Sequence, residues 1–214
     1  MMAGKTFTNR RFALLIPILL LYWVVISWGN GAISRLALPS DGGTFLSQPW
    51  SLVTYGFVHT YWRHIAINVG MLLMLLLFSA GCGISNRTVL GLFLCGILSG
   101  GLLFLLIGDG VLVGASAGIA ALVPLVLYKS IRQKRAWLLY AMLFVLIFDF
   151  ATQRKLGQVT QGVHLMGYIV GTLWVIFSER NKHLEETPST ELLVEKAKVS
   201  GYHSLTKEEQ KQLK

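Results

Sequence analysis

Apolar positions in this chain run together instead of alternating or forming stripes. From residue 12 onward, mostly apolar stretches of about fifteen to twenty residues are separated by polar segments. That pattern belongs to helices whose whole circumference meets protein or lipid. The runs are 12–28, 64–80, 88–107, 114–128, 136–150 and 160–178. Crossing the hydrocarbon takes about 20 apolar residues, with about 17 as the lower limit. The fourth and fifth runs, at 15 residues each, are therefore short, and a fourth helix that starts below the surface needs water or protein at its mouth. The pattern predicts an all-α polytopic membrane protein with six transmembrane helices.

The segments between the runs complete the organisation. Residues 1–11 form a polar N-terminal segment, 12–178 the membrane domain and 179–214 a charged tail. A cleaved signal peptide also starts with basic residues and an apolar run. Here the run is long, contains Tyr22 and Trp23 and ends without a small-x-small site, which favours an uncleaved first helix. Residues 29–63 lack a spanning pattern, and the aromatics Trp28, Trp50, Tyr55, Phe57, Tyr61 and Trp62 suit a loop lying in the headgroups. In the tail, Thr206 and Glu209 have the spacing of a capping box for a short helix.

Composition excludes the soluble classes. At 54% hydrophobic and 14% charged, with mean hydropathy +0.60, the chain is too apolar for an ordinary soluble domain. A net charge of +9 would suggest nucleic acid in a soluble protein, but here Lys and Arg flank the apolar runs and set orientation instead. With alternate loops assigned to alternate sides, fifteen basic residues fall on the side of the termini against four opposite (Arg35, Arg63, Arg154 and Lys155). Without the tail the count is still eight against four. Both termini are expected in the cytoplasm, with residues 29–63 outside. Cys82 and Cys95 have no metal or disulfide spacing and read as structural.

Orientation places four polar residues at one depth. The second, fourth and sixth runs begin on the outer side, so His64, Asn68, Ser116 and His164 all lie within about two turns of the outer helix ends. Ser116, in GASAGI, is either helix-packing glue through Gly114 and Gly118 or a buried nucleophile. Polar groups are expensive in a membrane, and several of them at one level favour a site. His164 is the candidate base for Ser116. Of the outer-side acids Asp41, Asp109 and Asp149, none is expected inside a helix at matching depth, so the reading is a dyad. The oxyanion would meet the Ser116 N–H and the Asn68 amide, with His64 beside it, since i and i+4 share a helix face. His64 and Asn68 alone would equally serve as an interhelical hydrogen bond. Gly96, Gly100 and Gly101 read as close-packing positions. No cofactor and no metal is expected; an alternative with His64 and His164 as haem or metal ligands leaves Ser116 unexplained.

These residues resemble the rhomboid intramembrane serine proteases over about residues 12–178. The resemblance rests on His64 and Asn68 in the second helix, the Gly-x-Ser of Gly114 and Ser116 in the fourth, and His164, Gly167 and Gly171 in the sixth, with PWSLVTYGFVHTYWRH (Trp50 and His59 included) like the family's first-loop approach. Ala117 and Ser51 depart from residues common in the family (Gly and Arg), and Ala120 stands where an aromatic often supports the histidine ring, leaving that support to Tyr168 or a neighbour. The resemblance implies a serine endopeptidase that cleaves single transmembrane helices in or near the bilayer, where small, helix-destabilising residues expose the backbone. It implies close approach of helices four and six through Gly167 and Gly171, and a multi-pass place in the membrane, expected to be a bacterial inner membrane. The partners are then transmembrane substrates and the lipid bilayer, not nucleic acid. The alternative within the family is an inactive relative that binds membrane helices; substrate and oligomeric state are not encoded in these patterns.

Overall fold

The computed structural model describes residues 9–153, 157–186, 190–207, 210 and 213. Lys5, Arg154, Lys155 and Glu209 lie outside the described residues, and with Glu209 goes the expected capping box. The structure is 82% helical, so the all-α class holds. It comprises two compact units, residues 1–175 and 176–214.

In the first unit, a 3-10 turn over Asn9–Leu14 leads into α1 (Leu15–Trp28). The segment after it is no featureless loop. It holds α2 (Asn30–Leu36), β1 (Leu38–Pro39), α3 (Gly42–Ser47), α4 (Ser51–Thr54) and a 3-10 turn over Tyr55–Phe57. Then follow α5 (Trp62–Gly81), α6 (Asn86–Ile107), β2 (Val111–Leu112), α7 (Ser116–Arg132), α8 (Ala136–Gln153) and α9 (Gln158–Glu186), of which the residues up to Val175 belong to this unit. The spans Arg11–Trp28, Trp62–Gly81, Asn86–Ile107 and Gln158–Arg180 are long and apolar enough to cross a membrane, and Ala136–Thr152 is a shorter apolar helix. Helix α7 has 17 residues and carries Pro124 inside it.

The aromatics of residues 29–63 fall into two sets. Trp50, Tyr61 and Trp62 are exposed, but Tyr55, Phe57, Val58 and His59 are buried. Tyr55 donates its hydroxyl proton to the Ile97 carbonyl, 2.5 Å away in α6. Phe57 meets Phe93 of α6, ring centres 5.9 Å apart. Aromatic composition alone does not separate rings at an interface from rings that anchor a loop to a helix, because both need an apolar body and a polar tip.

Helices α6 and α7 pack closely, and α7 is the more enclosed, with ten of its 17 residues buried. A side-chain carbon on Gly96 would lie 2.6 Å from the Ala117 carbonyl, and one on Gly100 2.8 Å from the Ala117 side chain. Small residues thus bring α6 against α7, the way membrane helices gain contact without a hydrophobic drive between them. At the other end of α5, Arg135 donates to the Gly81 carbonyl (2.7 Å) and Gln133 to the Cys82 carbonyl (2.9 Å). These donors satisfy carbonyls that a helix C-terminus leaves without partners.

The second unit contains α10 (Thr190–Ser200) and a 3-10 turn over Tyr202–Ser204. Leu193 and Leu205 are its buried apolar residues, and Gln210 donates to the Leu205 carbonyl at 3.0 Å.

Candidate active site

A cavity of about 410 Å3 opens between α5, α7, α8 and α9. Its lining includes His64, Asn68, Ser116, Ala120, Asp149 and His164. The four polar residues singled out from the sequence share this one space, and each comes from the element that its apolar run predicted.

Ser116 is the first residue of α7, with Ala115 as the N-cap and no side-chain cap. The helix therefore starts two residues later than the apolar run, and Gly114 stands before it rather than inside it. Gly114 has φ +115, a conformation open to glycine, and a side-chain carbon there would lie 2.7 Å from Cε1 and Nε2 of His64. Instead of packing helix on helix, this glycine lets the chain pass over an imidazole ring. Its N–H donates to the Tyr55 carbonyl at 2.9 Å, while β1 and β2 pair antiparallel, Leu38 with Leu112 and Pro39 with Val111. The segment ahead of the serine is thereby stitched to the first loop. Being at N1, the Ser116 N–H has no acceptor four residues back in the helix. Ser116 Oγ makes no hydrogen bond among the described residues, so no Ser116–His164 bond is closed in this state.

Helix α5 presents His64 and Asn68 one turn apart. Asn68 is buried and donates to the His64 carbonyl at 3.2 Å, which steadies the amide and uses one of its two N–H donors. The His64 ring lies between Tyr61 (5.3 Å between ring centres) and His59 (4.7 Å, edge-on). His59 is fully buried, and neither of its ring nitrogens has a hydrogen-bond partner among the described residues. Burial, reinforced by His64 nearby, pulls its pKa down to about 4 and keeps it neutral.

Helix α9 carries His164, buried at the cavity wall. Gly167 and Gly171 face α7: a side-chain carbon on Gly167 would collide with the Ala117 carbonyl and lie 2.9 Å from the Ala120 methyl, and one on Gly171 would collide with the Ala121 carbonyl and lie 3.0 Å from the Pro124 ring.

One functional candidate was passed over on sequence. Asp149 is inside α8 and level with His164, contrary to the expectation that no outer-side acid lies in a helix at that depth. Its Oδ1 is 3.3 Å from His164 Nδ1, and its Oδ2 accepts a hydrogen bond from the Tyr168 hydroxyl at 2.6 Å. A sequence signal existed: a lone acid within an apolar run is costly and so a flag in its own right.

A model of the Rhomboid domain matches residues 46–180, well over half of the chain. The chain belongs to the rhomboid family. No curated protein matches it. The match covers every cavity residue named above. This rhomboid is a multi-pass integral membrane protein, in a family whose members are generally intramembrane serine proteases, some of them inactive.

Proposed function

We propose that this rhomboid is an active intramembrane serine endopeptidase. The observation that carries the reading is the shared cavity, in which a serine at the first position of α7 faces a histidine of α9, with an amide and a second histidine of α5 beside them. Ser116 Oγ attacks the scissile carbonyl carbon while His164 accepts its proton. The tetrahedral oxyanion is met by the Ser116 N–H and by Asn68, with His64 beside it. Collapse returns the proton to the leaving amine and leaves an acyl-enzyme, and water, deprotonated by the same histidine, releases the second product. Nucleophile–base hydrogen bonds are often open before substrate binds.

Six crossings with both termini in the cytoplasm accompany this reading, with 1–11 and 179–214 flanking the membrane domain 12–178. Helix α7 serves as a short crossing whose outer end stops below the surface, where the cavity can supply water for the second step. Substrates are single transmembrane helices with small, helix-destabilising residues, and the setting is a bacterial inner membrane.

The test is cleavage of a model transmembrane substrate in liposomes, with a fluorophosphonate as a second readout. Wild type should cleave and carry the label on Ser116. Ser116→Ala, His164→Ala and the double variant should be about equally inactive, because the two residues act as a unit. Cleavage persisting in Ser116→Ala would remove Ser116 as the nucleophile, and folded wild type that neither cleaves nor labels would leave the inactive, helix-binding reading in its place. Reporter fusions after Ser178 report the topology, and an externally active fusion there would sink the six-crossing arrangement.

A further inference from the structure

We propose that Asp149 is a positioning residue for His164, held in register by Tyr168. The inference rests on the protease reading and changes its chemistry from a bare pair to a base that is oriented from behind.

The argument begins with cost. A carboxylate sunk among membrane helices survives only with strong partners. The Asp149 side chain is 16% exposed and that of His164 9%. The two carboxylate oxygens face two groups of α9 that lie one turn apart: Oδ1 faces His164 Nδ1, and Oδ2 takes the Tyr168 hydroxyl. Residues i and i+4 of a helix share a face, so one carboxylate of α8 spans two successive positions on that face. The 2.6 Å hydrogen bond from Tyr168 is in the range of hydroxyl donors to charged acceptors. It removes rotational freedom from the carboxylate and so fixes the direction in which Oδ1 meets the imidazole.

That direction decides the tautomer. A neutral imidazole has one N–H and one lone pair, and the partner of one nitrogen sets the role of the other. With the proton on Nδ1 facing the carboxylate, the Nε2 lone pair is left for the Ser116 proton. At 3.3 Å the Nδ1–Oδ1 contact is longer than the roughly 2.7–2.9 Å of a charge-assisted bond. It has room to tighten when His164 becomes positively charged during attack, and an interaction that strengthens toward the transition state raises turnover rather than affinity.

The neighbouring helix supplies a second reason. Ala120 of α7 offers only a methyl group, which would lie 2.9 Å from a side-chain carbon on Gly167. A methyl on the cavity wall puts no aromatic ring under the imidazole from position 120, and the hold on His164 comes from α8 instead. A purely structural hydrogen bond between α8 and α9 would be satisfied by Tyr168 alone; the second oxygen facing Nδ1 is what a structural role does not require.

The experiment uses the full chain in detergent and liposomes, with Asp149→Asn, Tyr168→Phe and Ser116→Ala beside wild type. Asp149→Asn should lower kcat at least tenfold while KM stays within about twofold; Tyr168→Phe should lower kcat by a smaller factor in the same pattern. Independently of activity, 15N-histidine NMR should find the neutral His164 of wild type protonated on Nδ1, with the proton moving toward Nε2 in Asp149→Asn. A kcat within twofold of wild type for Asp149→Asn, with Ser116→Ala inactive, would overturn the inference and spare the protease reading. Loss in Asp149→Asn through KM alone, or His164 protonated on Nε2 in wild type, would overturn it as well. Should wild type and Ser116→Ala be equally inert, the protease reading fails, and the tautomer still reports whether Asp149 orients His164. If Asp149→Asn does not fold, the tautomer in wild type and the kcat of Tyr168→Phe decide the matter.

Discussion

A side-chain carbon on Gly167 of α9 would land on the backbone carbonyl of Ala117, the residue after the serine. Helix α9 is thus in backbone contact with α7 at the level of the site, and the same approach recurs one turn further in, where Gly171 meets Ala121 and Pro124. Close contact of this kind leaves no volume for a branched side chain.

Gly171→Leu should therefore lower cleavage strongly and stability by about 1–3 kcal/mol, the usual cost of overpacking. The checks are liposome cleavage and thermal unfolding in detergent. Full activity in this variant would mean that the separation of α7 and α9 does not matter to the site.

Gly114→Ala should cost stability twice over, through a φ of +115 and through contact with the His64 ring. The backbone strain alone is worth about 1–3 kcal/mol. Because the methyl displaces His64, kcat should fall more than tenfold, whereas Gly110→Ala, also at positive φ but with open space around it, should lose stability and keep most of its kcat. Equal kcat losses in both variants would count against a specific role for the approach of Gly114 to His64.

On the protease reading, Asn68→Ala separates oxyanion stabilisation from nucleophile activation. Removing one donor of several typically costs about 10²–10³ in rate. The variant should keep slow turnover and still take the fluorophosphonate label on Ser116, unlike His164→Ala. An unlabelled Asn68→Ala that is folded would move Asn68 from the oxyanion to a structural role.

His59 gives a pH dependence of stability whose sign follows from burial. Its folded pKa is near 4, below the ordinary value of about 6.5, so between these values the unfolded chain binds a proton that the folded chain refuses. Stability from this group is complete above about pH 6.5 and is lost as pH falls toward 4, by about 3 kcal/mol at most. Unfolding temperature measured from pH 7 to pH 4.5 should drop more steeply in wild type than in His59→Leu. Parallel curves would remove His59 as the source.

Much of the fold was legible because hydropathy reports removal from water, whether into protein or into lipid. The run 64–80 became Trp62–Gly81, and 88–107 became Asn86–Ile107. The start of α7 was misjudged because glycine and alanine count as apolar without being helical, and only the backbone shows Gly114 at positive φ. The first loop hid its structure for a different reason: Tyr55 and Trp50 look alike to hydropathy, yet one is fully buried and the other half exposed. Ser116, His164, His64 and Asn68 stood out as polar groups at a common depth. Asp149 did not, because the depth of the outer end of α8 depends on where the helix begins and how it leans, neither of which is written in its run of apolar residues.

The stitching of the first loop to the serine segment also orders events during synthesis. Leu38, Tyr55 and Ile97 all precede residues 111–116 in the chain, so the residues that seat Gly114 and Ser116 are synthesised before the serine. His164 comes much later, on α9. On the protease reading, the nascent chain holds a positioned but unactivated serine until α8 and then α9 have entered the bilayer. On that reading, a chain not yet extended to α9 lacks the base for its serine.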